Sequence, residues 1–88
     1  MARHDRTLSA IFADPTRANI PWKDVEALFV ALGAEVKEAE GSRVRLVLGG
    51  VPVVFHRPHP GKEAGKAAVR LARRILREAG HAPPQGEG

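Results

Sequence analysis

Residues Gly41 to Pro60 read GSRVRLVLGGVPVVFHRPHP, two β-branched runs set on either side of Gly49-Gly50. Paired glycines between such runs signal a two-residue hairpin turn, whose central positions need positive φ. That turn dictates the pairing. Leu48 faces Val51, Leu46 faces Val53 and Val44 faces Phe55 on one side of the ladder, while Val47 faces Pro52, Arg45 faces Val54 and Arg43 faces His56 on the other. The first face is wholly apolar and demands a cover of helices. The second gathers Arg43, Arg45 and His56 at the end away from the turn, just before Arg57, Pro58 and His59, so cationic and titratable groups converge there. Pro52 has no N–H to give, and it belongs on the outer side of the hairpin, where no ladder bond is lost.

Upstream, Pro21 suits the first position of a helix, with Asp24 and Glu26 near the positive end of its dipole. Val25, Leu28, Phe29 and Leu32 form one apolar stripe, and Gly33 ends it. Trp22 reads as a lid on the edge of the core. Residues Ala34 to Glu38 read as an edge strand with Val36 inward and charged neighbours outward. Downstream of the hairpin, Pro58 to Gly65 is a loop, and a helix runs from about Lys66 to Ala79. Ala68, Leu71, Ala72, Ile75, Leu76 and Ala79 form its buried side, and Lys66, Arg70, Arg73, Arg74 and Arg77 its basic side.

The ends carry less. Met1 to Arg6 reads as a frayed polar lead, and Thr7 as the cap of a short helix carrying Leu8, Ile11 and Phe12, stopped by Asp14-Pro15. Residues 16–20 read as a linker. His81 to Gly88, rich in proline and glycine, reads as a disordered tail. The expected organisation is an N-terminal extension over 1–19, a folded domain over 20–80 and the tail over 81–88. The fold class is α+β, a two-layer sandwich in which a three-stranded antiparallel sheet carries two main helices on one face, in the manner of double-stranded-RNA-binding domains, plus the short N-terminal helix.

With 88 residues and 43% hydrophobic content, the chain is expected to build one small core. There is no cysteine, hence no disulfide framework and no thiolate zinc site. The longest apolar run, Ala27 to Leu32, falls far short of the roughly 20 residues of a membrane span, and no apolar signal segment opens the sequence. A soluble, cytoplasmic protein is expected. The net charge is +4, unevenly spread, with six basic residues against Glu63 and Glu78 over residues 62–81. A basic face on a small domain points to nucleic acid or to an acidic protein partner.

Taken in order, the helix around Val25 to Leu32, Gly33, the Gly41-Ser42 pair opening a strand, the hairpin, Pro58-His59 and the closing Ile75-Leu76 with Ala79-Gly80 resemble the HicA family of bacterial toxins over about residues 20–80. The resemblance implies a toxin that pairs with a HicB antitoxin, has the double-stranded-RNA-binding-like fold and cleaves mRNA without a metal. The family's motif is Gly-Ser-His at the start of the second strand, with that histidine essential. Here Gly41 and Ser42 are followed by Arg43.

Cleaving RNA without a metal requires a base for the ribose 2′-hydroxyl, an acid for the leaving 5′-oxygen and cations for the charge developing at phosphorus. His56, opposite Arg43 in the expected register, lies within one cross-strand distance, roughly 5 Å, of the motif position. His56 and His59 are the candidate catalytic residues, histidine titrating close to working pH. Arg43, Arg45, Arg57, Lys62, Lys66 and Arg70 are the candidate RNA-binding residues, guanidinium forks matching phosphate oxygens. His4 and His81 read as bystanders. His56 and His59 also have the spacing of a His-x-x-His pair, but Pro58 breaks any helix there and no carboxylate joins them, so no metal or other cofactor is expected. Two functions stay open: a ribonuclease toxin acting on mRNA and neutralised by a HicB-type antitoxin, and a non-catalytic RNA-binding module or inactive homologue that still binds the antitoxin.

Overall fold

The computed structural model of the protein describes residues 2–59 and 61–83. Its elements run α1 (Arg3–Ile11), α2 (Trp22–Ala31), β1 (Glu35–Glu38), β2 (Arg43–Leu48), β3 (Val51–His56) and α3 (Lys66–Glu78). The strands form one antiparallel sheet in the order β1-β2-β3. This is the α+β arrangement expected of the sequence.

The hairpin has the expected register throughout, from Leu48 opposite Val51 to Arg43 opposite His56. Gly49 and Gly50 take φ of 56° and 81°, the pair of positive values that lets a two-residue turn follow the twist of its strands. Arg57 donates its backbone N–H to the Ser42 carbonyl at 2.8 Å, which sets the alternation of ladder bonds along β3. By that alternation Val51, Val53 and Phe55 address β2, while Pro52, Val54 and His56 point their backbone groups to the free edge. The missing N–H of Pro52 therefore costs no sheet bond.

Val44, Leu46, Leu48, Val53 and Phe55 of the inner face are buried in one core with Val25, Leu28 and Phe29 of α2 and Val69, Ala72, Ile75 and Leu76 of α3. Trp22 closes that core at its edge, only 7% exposed, with its ring centroid 5.1 Å from that of Phe55, which meets Phe29 edge-on at 5.8 Å. Val69, which the expected stripe of α3 omitted, is fully buried; it lies one turn before Ala72 on the same side. Val36 takes the inward side expected of it, opposite Leu46, but is 38% exposed, and every residue of the short outer strand β1 is exposed.

The N-terminal segment differs most from expectation. The helix begins at Arg3, so Thr7 sits in its middle and is buried, its hydroxyl donating to the Arg3 carbonyl at 3.2 Å instead of capping the helix. Tertiary contacts explain the extra turn. Ile11 is fully buried in the common core, and the Arg3 guanidinium pairs with Asp24 of α2 at 2.8 Å. The segment after α1 is also more than a linker. Ile20 is buried, and the Ala18 and Ile20 carbonyls accept from the backbone N–H groups of Gly65 and Ala64 at 3.1 and 2.8 Å. The expected disorder at the C-terminus falls largely on residues 84–88, which lie outside the described residues; His81 still donates its backbone N–H to Leu76 at 2.8 Å. Among the described residues, no helix is long and apolar enough to cross a membrane.

Candidate functional site

The outer face of the sheet is assembled by alternation alone. Arg43 and His56 are direct partners, and the Arg57-to-Ser42 bond beside them makes theirs a non-hydrogen-bonded pair. Such pairs hold their Cα atoms about 4.5 Å apart, with side chains close on one face. Both side chains are exposed. The Arg43 guanidinium leans back through Nε to the Glu40 carbonyl at 3.4 Å. Arg45 follows two residues on, opposite Val54, with Lys37 of β1 opposite it on the other side. No carboxylate pairs with Arg43 or Arg45 among the described residues.

At the free edge of β3 the outer face turns into a groove against α3. Val54 and His56 line one stretch of it with Ala64, Ala67, Ala68 and Leu71. Arg45, Pro52, Val54, Leu71 and Arg74 line the next stretch, a depression of about 560 Å³. Arg74 is thus a cation of this surface that the site expectations left out. Its spacing of four from Arg70 was the signal, since Lys66, Arg70 and Arg74 fall on one side of the helix.

Arg57 lies elsewhere. One residue past His56 the alternation turns its side chain to the helix side, where Nε and Nη2 donate to Glu26 at 3.1 and 2.8 Å, and Nη1 and Nη2 donate to Glu38 at 2.6 and 2.9 Å. These contacts hold the Glu38 carboxyl below its ordinary value, through hydrogen bonding first and charge attraction second, and push the guanidinium further up its already high range. Arg57 ties α2, β1 and the end of β3 together, in place of its expected company with Arg43 and Arg45.

His59 is separated from His56 as well. It lines a cavity of about 590 Å³ on the α2 side, with Trp22, Glu26, Arg57 and Lys62, whereas His56 lines the groove beside α3. Lys62 therefore joins His59, and Lys66 and Arg70 stand exposed on α3. His4 lies in the cleft between α1 and α2, apart from the cavities that His56 and His59 line, and His81 follows α3. Among the described residues, no group of three or more His, Asp or Glu is placed to hold a metal ion.

Arg73 and Arg77, expected on the solvated basic side of α3, serve the fold. Arg73 donates through Nε and Nη2 to the Ile11 carbonyl at 3.0 and 2.9 Å, and through Nη2 to Ala13 at 3.0 Å, closing the C-terminal end of α1. The Arg77 guanidinium lies 5.4 Å from the centre of the Phe12 ring.

Fold and surface together define a small α+β domain whose helix-free sheet face is cationic and bears a histidine. A protein-family model described as HicA toxin of bacterial toxin-antitoxin matches residues 22–81. The chain belongs to the HicA toxin family, and so to the proteins of toxin-antitoxin systems. No curated protein and no solved structure matches it significantly. The family match begins at the first residue of α2, so α1 lies outside it.

Proposed function

We propose that the protein is the toxin of a type II toxin-antitoxin system, a metal-independent endoribonuclease that cleaves mRNA in the cytoplasm and is neutralised by a HicB-type antitoxin. The observation that carries this reading is the cross-strand pair of His56 and Arg43 on the outer face, at the position where the family's motif puts its histidine. His56 takes the proton of the attacking 2′-hydroxyl. Arg43, one cross-strand step away, holds the phosphate whose charge grows as the bond forms, with Arg45 on the adjoining phosphate. The leaving 5′-oxygen takes its proton from water at this open surface. His59, which lines a different cavity, contacts a neighbouring nucleotide. Lys66, Arg70 and Arg74 guide the strand along α3. The antitoxin is expected to meet this face with acidic groups, since covering arginines and His56 excludes RNA directly.

The reading is tested by His56→Ala. The side chain is exposed, so its loss opens no cavity and the fold is retained. RNA cleavage and growth arrest on induced expression should both disappear, and unaltered cleavage would refute the assignment. A second reading, an RNA-binding or antitoxin-binding homologue without catalysis, is favoured by Arg43 itself, which stands where the motif has its histidine. It requires that the unaltered protein bind RNA or the antitoxin and cleave no RNA.

A further inference from the structure

The cavity beside His59 is a built feature of the fold. Its two walls, the first turn of α2 and the loop leaving β3, are tied by the Trp22 backbone N–H donating to the Lys62 carbonyl at 3.1 Å and by a bridge between Pro21 and Glu63. The loop is closed on itself by the Lys62 N–H donating to the His59 carbonyl at 3.0 Å. These bonds fix the two walls relative to each other, and about 590 Å³ lies in the range of small-ligand sites.

We propose that this cavity is a nucleobase subsite: it takes one base of an RNA strand next to the bond that His56 acts on, and it prefers a base with an exocyclic amino group. The proposal rests on RNA being the substrate. Pro21, Pro58 and the edge of Trp22 supply flat apolar walls for a base, and Gly61 adds no side chain of its own. Glu26 supplies the discrimination. Its Oε1 accepts from Trp22 Nε1 at 3.0 Å and from Arg57 Nε at 3.1 Å, and its Oε2 accepts from Arg57 Nη2 at 2.8 Å. A carboxylate offers about four acceptor positions, so one remains on Oε2, on a side chain already locked in place. An amino group of adenine, cytosine or guanine fits that acceptor; uracil offers only its ring N–H. A phosphate in the same space would meet the Glu26 carboxylate and an Arg57 already satisfied by two carboxylates. Lys23, Lys62 and His59 instead hold the backbone to either side of the base.

Trp22 is the single tryptophan and reports on the cavity by its fluorescence. The full chain is titrated with AMP, CMP, GMP and UMP, and with inorganic phosphate at matched ionic strength, following Trp22 emission and amide and indole chemical shifts. The expected result is a saturable response to AMP, CMP or GMP, with shifts at the Trp22 indole, Gly61 and Lys62, binding of UMP weaker by about tenfold, and no such response to phosphate. Glu26→Gln, its fold checked by circular dichroism, should narrow the gap to UMP, whereas Lys62→Ala should weaken all four nucleotides alike. Equal binding of the four, the same shifts with phosphate alone, or shifts confined to the outer sheet face would overturn the proposal. Mononucleotides contain no scissile bond, so the result is independent of catalysis. RNA cleavage without these shifts defeats the subsite alone, and these shifts without cleavage defeat the ribonuclease reading alone.

Discussion

His56 and Arg57 are adjacent in the chain and serve opposite sides of the sheet. The strand period of two sends the imidazole outward beside Arg43 and the guanidinium inward to Glu26 and Glu38. Glu38 bears the consequence for acid stability. Its carboxyl is held below the ordinary 4.5 by Arg57, and a group whose pKa is depressed on folding contributes stability above its unfolded value. That contribution is lost as pH falls through the lower, folded value. The urea midpoint of the unaltered protein should therefore decline as pH drops below about 4.5, and Glu38→Gln should lower the midpoint at pH 7 while flattening the acid limb. An identical pH profile for the variant would show that the Arg57 contact contributes nothing.

At the scale of elements, α3 is divided lengthwise. Its inner side enters the core, Arg73 and Arg77 hold α1, and Arg74 lines the groove at the edge of β3, with Lys66 and Arg70 exposed at four-residue steps before it. Arg73→Ala removes a charged donor from half-buried carbonyls and should cost about 1.5–3 kcal/mol, the usual worth of hydrogen bonds to charged groups. Arg74→Ala, on an exposed residue, should change stability by no more than about 0.5 kcal/mol while weakening RNA binding. Chemical denaturation and an RNA-binding titration of both variants check the division. Comparable destabilisation by the two would erase it.

For the whole molecule, the charge of +4 matters through its placement. Glu26 and Glu38 share the single cation of Arg57 on the helix side of the sheet, and Asp24 pairs with Arg3, so on the outer face and at the β3 edge the arginines set the field that a polyanion meets. RNA affinity should fall steeply with salt. Arg45→Ala and Arg70→Ala should each reduce the slope of log K against log salt by about 0.7 for every phosphate of a single strand that the variant no longer neutralises. Fluorescence anisotropy from low to physiological salt measures it. A slope unchanged in both variants would place the RNA on another surface.

The hairpin, its register and its two faces were legible in residues 41–60 because each depends on neighbours in the chain. A two-residue turn pins the first pair, and a period of two carries the register to Arg43 and His56 without drift. The same rule already separated Arg57 from His56, and applying it one residue past the strand would have placed Arg57 correctly. Where each cation finds its partner was decided only by the tertiary structure. Arg57 meets Glu26 and Glu38 at separations of 31 and 19 residues, and Arg73 meets Ile11 at 62. A helix side that looks uniformly basic in sequence presents its arginines to surroundings that other segments provide. No local pattern distinguishes an arginine beside solvent from one beside the open carbonyls of another helix, because a guanidinium bonds equally well to phosphate, carboxylate or carbonyl oxygen, and packing alone determines which of them is within reach.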